Sequence, residues 1–365
     1  MRKYDYLLVG SGLFSCVFTA LAKQNKKTCL IIEKRNHPFG NCYSEEKDNI
    51  HIHMYGPHVF HTNDHRLWNF MQKFAEFNNF IYKPKVNYNN RIYSFPINLM
   101  TLCQIWNVVT PEQALSRLEE ARVKIDNPQN LEEWALSQVG EELYRTFIYG
   151  YTKKQWNTDP KNLPKFIIQR LPIRLYFEEN YFFDRYQGIP INGYSDMLQN
   201  MIEDTEVILN TDYFQNRDYW NNKANQVVYT GCIDEYFEFE YGQLNYRSLN
   251  FTHEKLEILD FQGNAAINYT SENVPYTRVI EHKHFLFDTK SPYTYISKEY
   301  PANYEDTKVP YYPINNDTNN EIYQKYHKLS LSQNKTIFGG RLAQYKYYNM
   351  DQIVASAHHI YNKFS

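Results

Sequence analysis

The chain has 365 residues, with 39 lysines and arginines against 41 aspartates and glutamates and a net charge of −2. That length allows two or three cooperating lobes with a substantial core, and the balanced charge gives no basis for binding nucleic acid or an anionic membrane. No basic, apolar leader or run of membrane-span length is seen, and Cys16, Cys29, Cys42, Cys103 and Cys232 have neither disulfide-frame nor zinc-site spacing, so we expect reduced thiols, no metal and a cytoplasmic protein.

Tyr4 to Val9 is an apolar, β-rich run ending in Gly10-Ser11-Gly12-Leu13-Phe14-Ser15, and a second apolar strand, Thr28 to Ile32, ends in Glu33. Strand, glycine turn, helix, strand, acid is the opening of a dinucleotide-binding βαβ unit. Gly10 permits the tight turn, and Gly12 lets the backbone approach a pyrophosphate at the positive end of the helix. Glu33 stands about twenty residues further on, where an acid holds a ribose hydroxyl. Ser15 takes the third small position, where glycine or alanine is usual. An ordinary strand–helix turn is the plain alternative.

His51 to Thr62 alternates around Tyr55-Gly56-Pro57-His58-Val59-Phe60-His61, and Leu67 to Phe80 has helical periodicity. Tyr82 to Phe95 reads as a hairpin turning at Asn89-Asn90. Leu99 to Trp106, Pro111 to Val123, Leu131 to Val139 and Glu141 to Tyr149 read as short helices, with Pro128 and Pro160 marking breaks. Pro164 to Asp184, with Arg170, Arg174 and, just beyond, Arg185 among aromatics, is interrupted by prolines. Gly193 opens a helix, Glu206 to Leu209 is a short strand, and Val227 to Thr230 runs into Gly231. Tyr241 to Phe251, Phe261 to Tyr269, Arg278 to His284 and Tyr293 to Glu299 look like antiparallel strands. Thr336 to Gly340, Arg341 and a helix from about Asp351 repeat the strand, glycine turn, helix pattern.

These elements predict an α/β fold. A discontinuous Rossmann-like domain comprises 1-80, 191-240 and 315-365. A helical insertion covers 99-170, with a mobile loop near 165-180, and an antiparallel sheet domain comprises 81-98 and 241-314.

Six ordered blocks carry a resemblance. They are Glu33-Lys34-Arg35-Asn36-His37 with Gly40-Asn41; Tyr55 to Asn63; Gly150-Tyr151-Thr152-Lys153-Lys154-Gln155-Trp156; Asp184 to Pro190; Pro275-Tyr276-Thr277-Arg278 with Glu281 to Phe285; and Gly339-Gly340-Arg341-Leu342-Ala343. In order, from Tyr4 to about Ile353, the chain resembles the bacterial UDP-galactopyranose mutase family. The resemblance implies an FAD enzyme, active when reduced, that interconverts pyranose and furanose rings of a nucleotide-linked hexose through a flavin N5–sugar adduct. It also implies an external reductant such as NAD(P)H, a homodimer, and a product destined for cell-surface polysaccharide. UDP-galactopyranose is the leading substrate, with dTDP-fucopyranose or UDP-N-acetylgalactosamine as alternatives. A flavin oxidase or dehydrogenase on the same fold is a more distant one.

By the same resemblance, Gly10, Gly12, Phe14, Glu33, Lys34, Asn41, His58, Val59 and Arg341 hold the cofactor, joined by Tyr348, Asn349, Met350, Asp351, Gln352 and Ile353. Arg170 and Arg278 bind the diphosphate, since arginine's fork of donors matches that charge. Phe147 and Tyr151 lie near the base and Trp156 near the sugar, where flat faces stack. Thr152, Tyr181, Asn268, Tyr312 and Tyr347 also match substrate positions, and His61 joins the two arginines in the catalytic set. His58 and His61 are three apart but lack a third ligand at metal spacing. The 34 tyrosines suit sugars and bases, but surface use or codon bias gives the same count.

The chain departs from the family pattern at Tyr82, where many relatives carry asparagine. Asn157 stands where glycine is common, and Asn349 replaces an aspartate. Tyr82 trades hydrogen bonding for an apolar face, which would suit a 6-deoxy sugar; drift at a tolerant position is the other explanation.

Overall fold

The first strand, Tyr4–Val9, pairs in parallel with Cys29–Ile32 on one side and Ala224–Tyr229 on the other. Glu206–Ile208 and Thr336–Phe338 extend the sheet at its two edges, again in parallel. The computed structural model of the chain describes residues 3–168, 172–287, 290–307 and 309–364. Both faces of this sheet are covered, which is why its strands read as unbroken apolar runs. On one face Leu8 and Ile31 pack with Val17 and Phe18 of the helix Leu13–Gln24 and with Val354 and Ala357 of the helix Met350–Phe364. On the other, Leu7, Leu30 and Val227 pack with Tyr213, Tyr229 and Tyr236.

Part of the tyrosine excess is therefore core. Tyr144, Tyr194, Tyr229, Tyr326 and Tyr345 are among the largest fully buried side chains. A buried phenol packs as an apolar plate whose hydroxyl needs a partner. Tyr326 finds one in the Gly242 carbonyl, and Tyr345 in those of Asn245 and Ile314.

A second sheet has the order Tyr312–Pro313, Tyr246–Leu256, Thr294–Asn303, Arg278–Glu281, Ala266–Tyr269, Lys85–Tyr88, Arg91–Ser94. Its pairings are antiparallel except that of Ala266–Tyr269 with Lys85–Tyr88. The hairpin turns at Asn89 and Asn90, both left-handed with φ 51° and 62°, as a tight two-residue turn requires. Next come the helices Leu99–Trp106, Pro111–Ala121, Leu131–Leu143 and Gly150–Trp156, with a π-helical turn, Tyr144–Tyr149, before the last. Asn98, Thr110 and Asn130 cap the first three by accepting backbone N–H groups. Leu102, Leu118, Leu131 and Leu143 close their apolar faces over Val86 and Phe95.

Several expected boundaries are corrected. The helix expected over Leu67 to Phe80 is His65–Met71. Beyond it, Asn78 exchanges backbone and side-chain hydrogen bonds with Ile189 and donates to the Phe285 carbonyl, which requires extended chain. The strand expected from Tyr241 begins at Tyr246, after left-handed turns at Glu238, Phe239 and Gly242. That expected from Phe261 begins at Ala266, because the Phe261 and Gln262 N–H groups go to the Glu281 carboxylate. The strand expected to reach His284 ends at Glu281, where the turn His282–Phe285 starts.

Candidate functional site

Two cavities, of about 440 Å³ and 760 Å³, meet at Asn41, His58, Tyr311, Arg341 and Met350. Both fall within the range of small-molecule sites. The smaller lies at the carboxyl ends of the parallel strands, where Val9, Ile32 and Tyr229 line it. Gly10 turns the chain there with φ 94°, and a Cβ on it would lie 2.4 Å from Thr230 Oγ1. A Cβ on Gly12 would meet no described atom within 4 Å, so that side of the turn is open. The helix Leu13–Gln24 starts at Gly12 without a side-chain cap. Its first N–H groups and positive dipole end are thus left for an anion. The residues present fit a dinucleotide pyrophosphate.

Glu33 braces this turn. One carboxylate oxygen accepts from the Ser11 N–H and hydroxyl at 2.9 and 2.8 Å, and the other from the Arg35 N–H at 3.0 Å. Arg35 lies over the Tyr55 ring and donates to Asn41 Oδ1 at 3.0 Å. Arg341 donates to the carbonyls of Tyr311 and Tyr348 at 3.2 and 2.6 Å. His58 Nδ1 donates to the Gly56 carbonyl at 2.9 Å, leaving Nε2 as an acceptor. Burial, reinforced by the Arg341 charge, pushes His58 down to about 4, so the ring is neutral.

Gly10, Gly12, Phe14, Glu33, Lys34, Asn41, His58, Arg341, Met350 and Ile353 all line this groove, and Val59 and Asn349 line the adjoining cavity. Tyr348, Asp351 and Gln352 line neither. Tyr348 takes part through its carbonyl, and Gln352 Oε1 accepts from the Asn349 N–H. Asp351 sits on the side of His61 and Asp184, and burial raises its pKa.

The larger cavity gathers Tyr82, Phe147, Tyr151, Thr152, Trp156, Tyr181, Asn268, Arg278, Tyr312, Tyr347 and His61. The helix Gly150–Trp156 and the π-helical turn before it, the strands Ala266–Tyr269, Arg278–Glu281, Tyr312–Pro313 and Phe60–Thr62, and the segment before Tyr186–Gly188 supply most of them. Arg278 is an anchored cation in this cavity, beside Arg174 and Arg341. It donates from Nε to Asn268 Oδ1 at 3.0 Å and from Nη2 to the Tyr151 hydroxyl at 3.3 Å, and Glu299 lies 3.7 Å from Nη1. Burial disfavours the charge, but Glu299 and the surrounding phenols outweigh it and Arg278 stays cationic. Burial likewise raises Tyr82, Tyr151 and Tyr312, which remain neutral donors. Tyr82 meets Tyr181 edge-on at 5.6 Å and Phe182 at 6.1 Å, forming an aromatic wall. His61 stacks on Phe182 at 3.7 Å and donates from Nδ1 to Asp184 at 2.8 Å.

Arg170 lies outside the described residues. Within the segment expected as a charged loop, Arg174 is buried and donates to the Glu178 and Asn180 carbonyls at 2.9 and 2.7 Å. Sequence reasoning gave no role to Arg35, Asp184, Glu299 or Tyr311. Arg35 and Asp184 stand in recognisable blocks, but Glu299 and Tyr311 are marked out only by partners distant in the chain. Ser15 is buried, and its hydroxyl has no partner among the described residues. Asn157 explains its own departure: it ends the helix Gly150–Trp156 at φ 49°, where asparagine is the usual substitute for glycine.

The fold and its paired cavities define a Rossmann-type dinucleotide-binding protein with an adjoining anion-and-aromatic site. Residues 146–347 match the family model for UDP-galactopyranose mutase, and residues 8–74 match that for an NAD(P)-binding Rossmann-like domain. The chain is 36% identical over 360 residues to the dTDP-fucopyranose mutase of Escherichia coli, covering 96% of each. It is 35% identical over 366 residues to a probable UDP-galactopyranose mutase of Klebsiella pneumoniae, covering 98% of this chain and 94% of the relative. In fold it is similar to reduced UDP-galactopyranose mutase, with TM-score 0.75 at 14% identity over 99% of this chain and 93% of the other. The chain belongs to the UDP-galactopyranose mutase family. Among the described residues no helix is long and apolar enough to cross a membrane.

Proposed function

We propose that this chain interconverts the pyranose and furanose forms of a nucleotide-linked hexose, with UDP-galactopyranose as the leading substrate. The observation that carries this reading is Arg278, an anchored cation in an aromatic cavity that opens into a dinucleotide groove. FAD in its reduced state is the cofactor; when bound it supplies the nucleophile that displaces the nucleotide, with no net oxidation. Gly10, Gly12, Phe14, Glu33, Lys34, Asn41 and Arg341 would hold its dinucleotide part, and His58, Val59 and residues 348–353 its ring end. An external reductant such as NAD(P)H, a cytoplasmic homodimer and a product for cell-surface polysaccharide complete the proposal.

Arg278 is oriented before the substrate arrives, so it can meet the charge of a departing diphosphate without reorganising. Arg170 is the proposed second phosphate ligand. The phenol hydroxyls of Tyr181, Tyr312 and Tyr347 donate to phosphate oxygens. Phe147 and Tyr151 offer faces to the base and Trp156 to the sugar, beside Thr152 and Asn268. Held by Asp184, His61 is proposed to present Nε2 to a sugar hydroxyl whose proton moves as the ring opens and closes.

The buried Tyr82 wall favours a second reading, dTDP-fucopyranose, because a methyl group packs on such a surface where a hydroxyl would lack a partner. That mismatch costs about 1–3 kcal/mol, enough for a clear preference. The test is turnover of the dithionite-reduced protein on UDP-galactose, UDP-N-acetylgalactosamine and dTDP-fucose, resolved by chromatography. Preferred formation of UDP-galactofuranose supports the leading reading, and preference for dTDP-fucose supports the second. Activity on none rejects both. Tyr82→Asn is expected to shift preference toward the hydroxymethyl sugar; an unchanged ratio of efficiencies removes Tyr82 from the specificity argument.

A further inference from the structure

Lys154 lies on the helix Gly150–Trp156, and its ammonium is seated among backbone carbonyls. Nζ donates to those of Tyr269, Ser271, Val274 and Tyr276 at 2.7, 3.0, 3.0 and 3.0 Å. All four come from one short stretch, the end of the strand Ala266–Tyr269 and the turn leading to Arg278–Glu281. An ammonium has three N–H donors, so four converging oxygens surround it as they would a bare monovalent cation. The neighbouring carboxylate, Glu272, pairs instead with Lys153 at 2.8 Å. Burial pushes the Lys154 ammonium down to about 8, with Glu272 pulling it upward. The helix and the turn are also in close backbone contact: a Cβ on Gly150 would lie 2.0 Å from the Thr270 carbonyl oxygen.

Each partner in this contact carries residues of the larger cavity. The helix brings Tyr151, Thr152 and Trp156, while the strands on either side of the turn bring Asn268 and Arg278. The two sets meet where Arg278, held by Asn268 of its own set at 3.0 Å, reaches the Tyr151 hydroxyl at 3.3 Å. Lys154 itself does not line the cavity. We infer that Lys154 is a positioning residue: its ammonium in the carbonyl cage fixes the helix on the strand pair and so sets the Tyr151–Arg278 spacing that a nucleoside diphosphate requires. The inference rests on the proposed function for its ligand. Without the cation, four carbonyl dipoles converge on an empty centre and the turn that precedes Arg278 relaxes.

The experiment uses the flavin-loaded protein and its Lys154→Met and Lys154→Ala variants, with UDP as probe. Calorimetric affinity for UDP is measured beside turnover, with and without millimolar ethylammonium. Both variants are expected to keep bound FAD, since no residue of the cage lines the cofactor groove, and to lose UDP affinity by about tenfold or more. Ethylammonium is expected to restore affinity in Lys154→Ala, and to do nothing to the wild type or to Lys153→Ala. Folded variants that bind UDP as the wild type does overturn the inference, as does a loss that ethylammonium leaves unchanged. Should neither variant fold, Lys154→Arg decides, because it keeps the charge but not the compact geometry. Unchanged UDP affinity in it overturns the inference, and reduced affinity supports it. Absence of wild-type turnover on every sugar, with UDP binding intact, would strike the proposed function and leave this test standing.

Discussion

Gly10 and Gly12 share one turn but are glycines for different reasons. Gly10 is left-handed at φ 94° and packs so closely that a Cβ would lie 2.4 Å from Thr230 Oγ1. Gly12 has an ordinary φ of −66° and no described atom within 4 Å of the Cβ position. Alanine at 10 therefore strains the fold, whereas alanine at 12 fills only the space that faces the ligand. Gly10→Ala should lower stability by about 1–3 kcal/mol with or without cofactor. Gly12→Ala should leave the melting of cofactor-free protein unchanged and reduce the flavin retained on purification. The checks are thermal melts of the flavin-free proteins and the visible absorbance of the flavin that each retains. Equal flavin content in Gly12→Ala and the wild type would contradict the pyrophosphate assignment. This pair was legible in the sequence because a glycine turn is a local device. Glu299 was not: it faces Arg278 only because the strand Thr294–Asn303 pairs beside Arg278–Glu281.

The same distinction between local and distant causes separates the elements that were legible from those that were not. The break between Leu131 to Val139 and Glu141 to Tyr149 was readable because its cause is one glycine. Gly140 holds φ 75° and ψ 173° inside the helix Leu131–Leu143 and bends it there. The end of the helix at Met71 was hidden, because what extends the chain beyond it is Asn78 bonding to Ile189 and Phe285. Gly140 also marks a close approach, since a Cβ on it would lie 2.2 Å from the Ala121 carbonyl oxygen at the end of the helix Pro111–Ala121. Gly140→Ala combines a disfavoured φ with that overlap, and we expect it to cost about 2–4 kcal/mol, read from urea unfolding. The π-helical turn and the helix Gly150–Trp156 lie directly downstream, so affinity for UDP should fall with it, while retained flavin should not. A variant with wild-type stability would show that the two helices separate at little cost.

At the scale of the whole molecule, the site is assembled from segments far apart in the chain, and what keeps the second sheet in register matters as much as the residues that line the cavities. Glu281 is such a fastener. Its side chain is buried, and its carboxylate accepts from the Phe261 and Gln262 N–H groups at 2.8 Å each and from the Thr294 hydroxyl at 2.6 Å, with His284 at 3.4 Å. Burial favours the neutral acid, but His284, Thr294 and the two backbone donors together outweigh it and hold Glu281 at about 2, against an ordinary 4.5. A carboxyl whose pKa is lowered by folding stabilises the protein fully above its unfolded value, and that stability is lost as pH falls through the folded one. The loss should therefore run from about pH 4.5 down to about 2 and amount to about 3 kcal/mol. His284 has the opposite sign: the Glu281 carboxylate, 3.4 Å from its Nε2, raises its pKa despite burial, with Asp260 at 3.0 Å adding to it, so its contribution is complete below 6.5 and fades as pH rises through the raised value. The pair should thus contribute most between about pH 4.5 and 6.5. Glu281→Gln keeps the shape but leaves one carbonyl oxygen for donors that had two, and turns an N–H group toward them. It should lower the melting temperature at neutral pH by roughly 4 °C for a loss near 3 kcal/mol in a chain of this length. It should also flatten the acid limb between pH 4.5 and 2 in a series of melts. An acid limb as steep as that of the wild type would mean that other carboxylates govern acid unfolding and that the Glu281 contacts do not hold the sheet together.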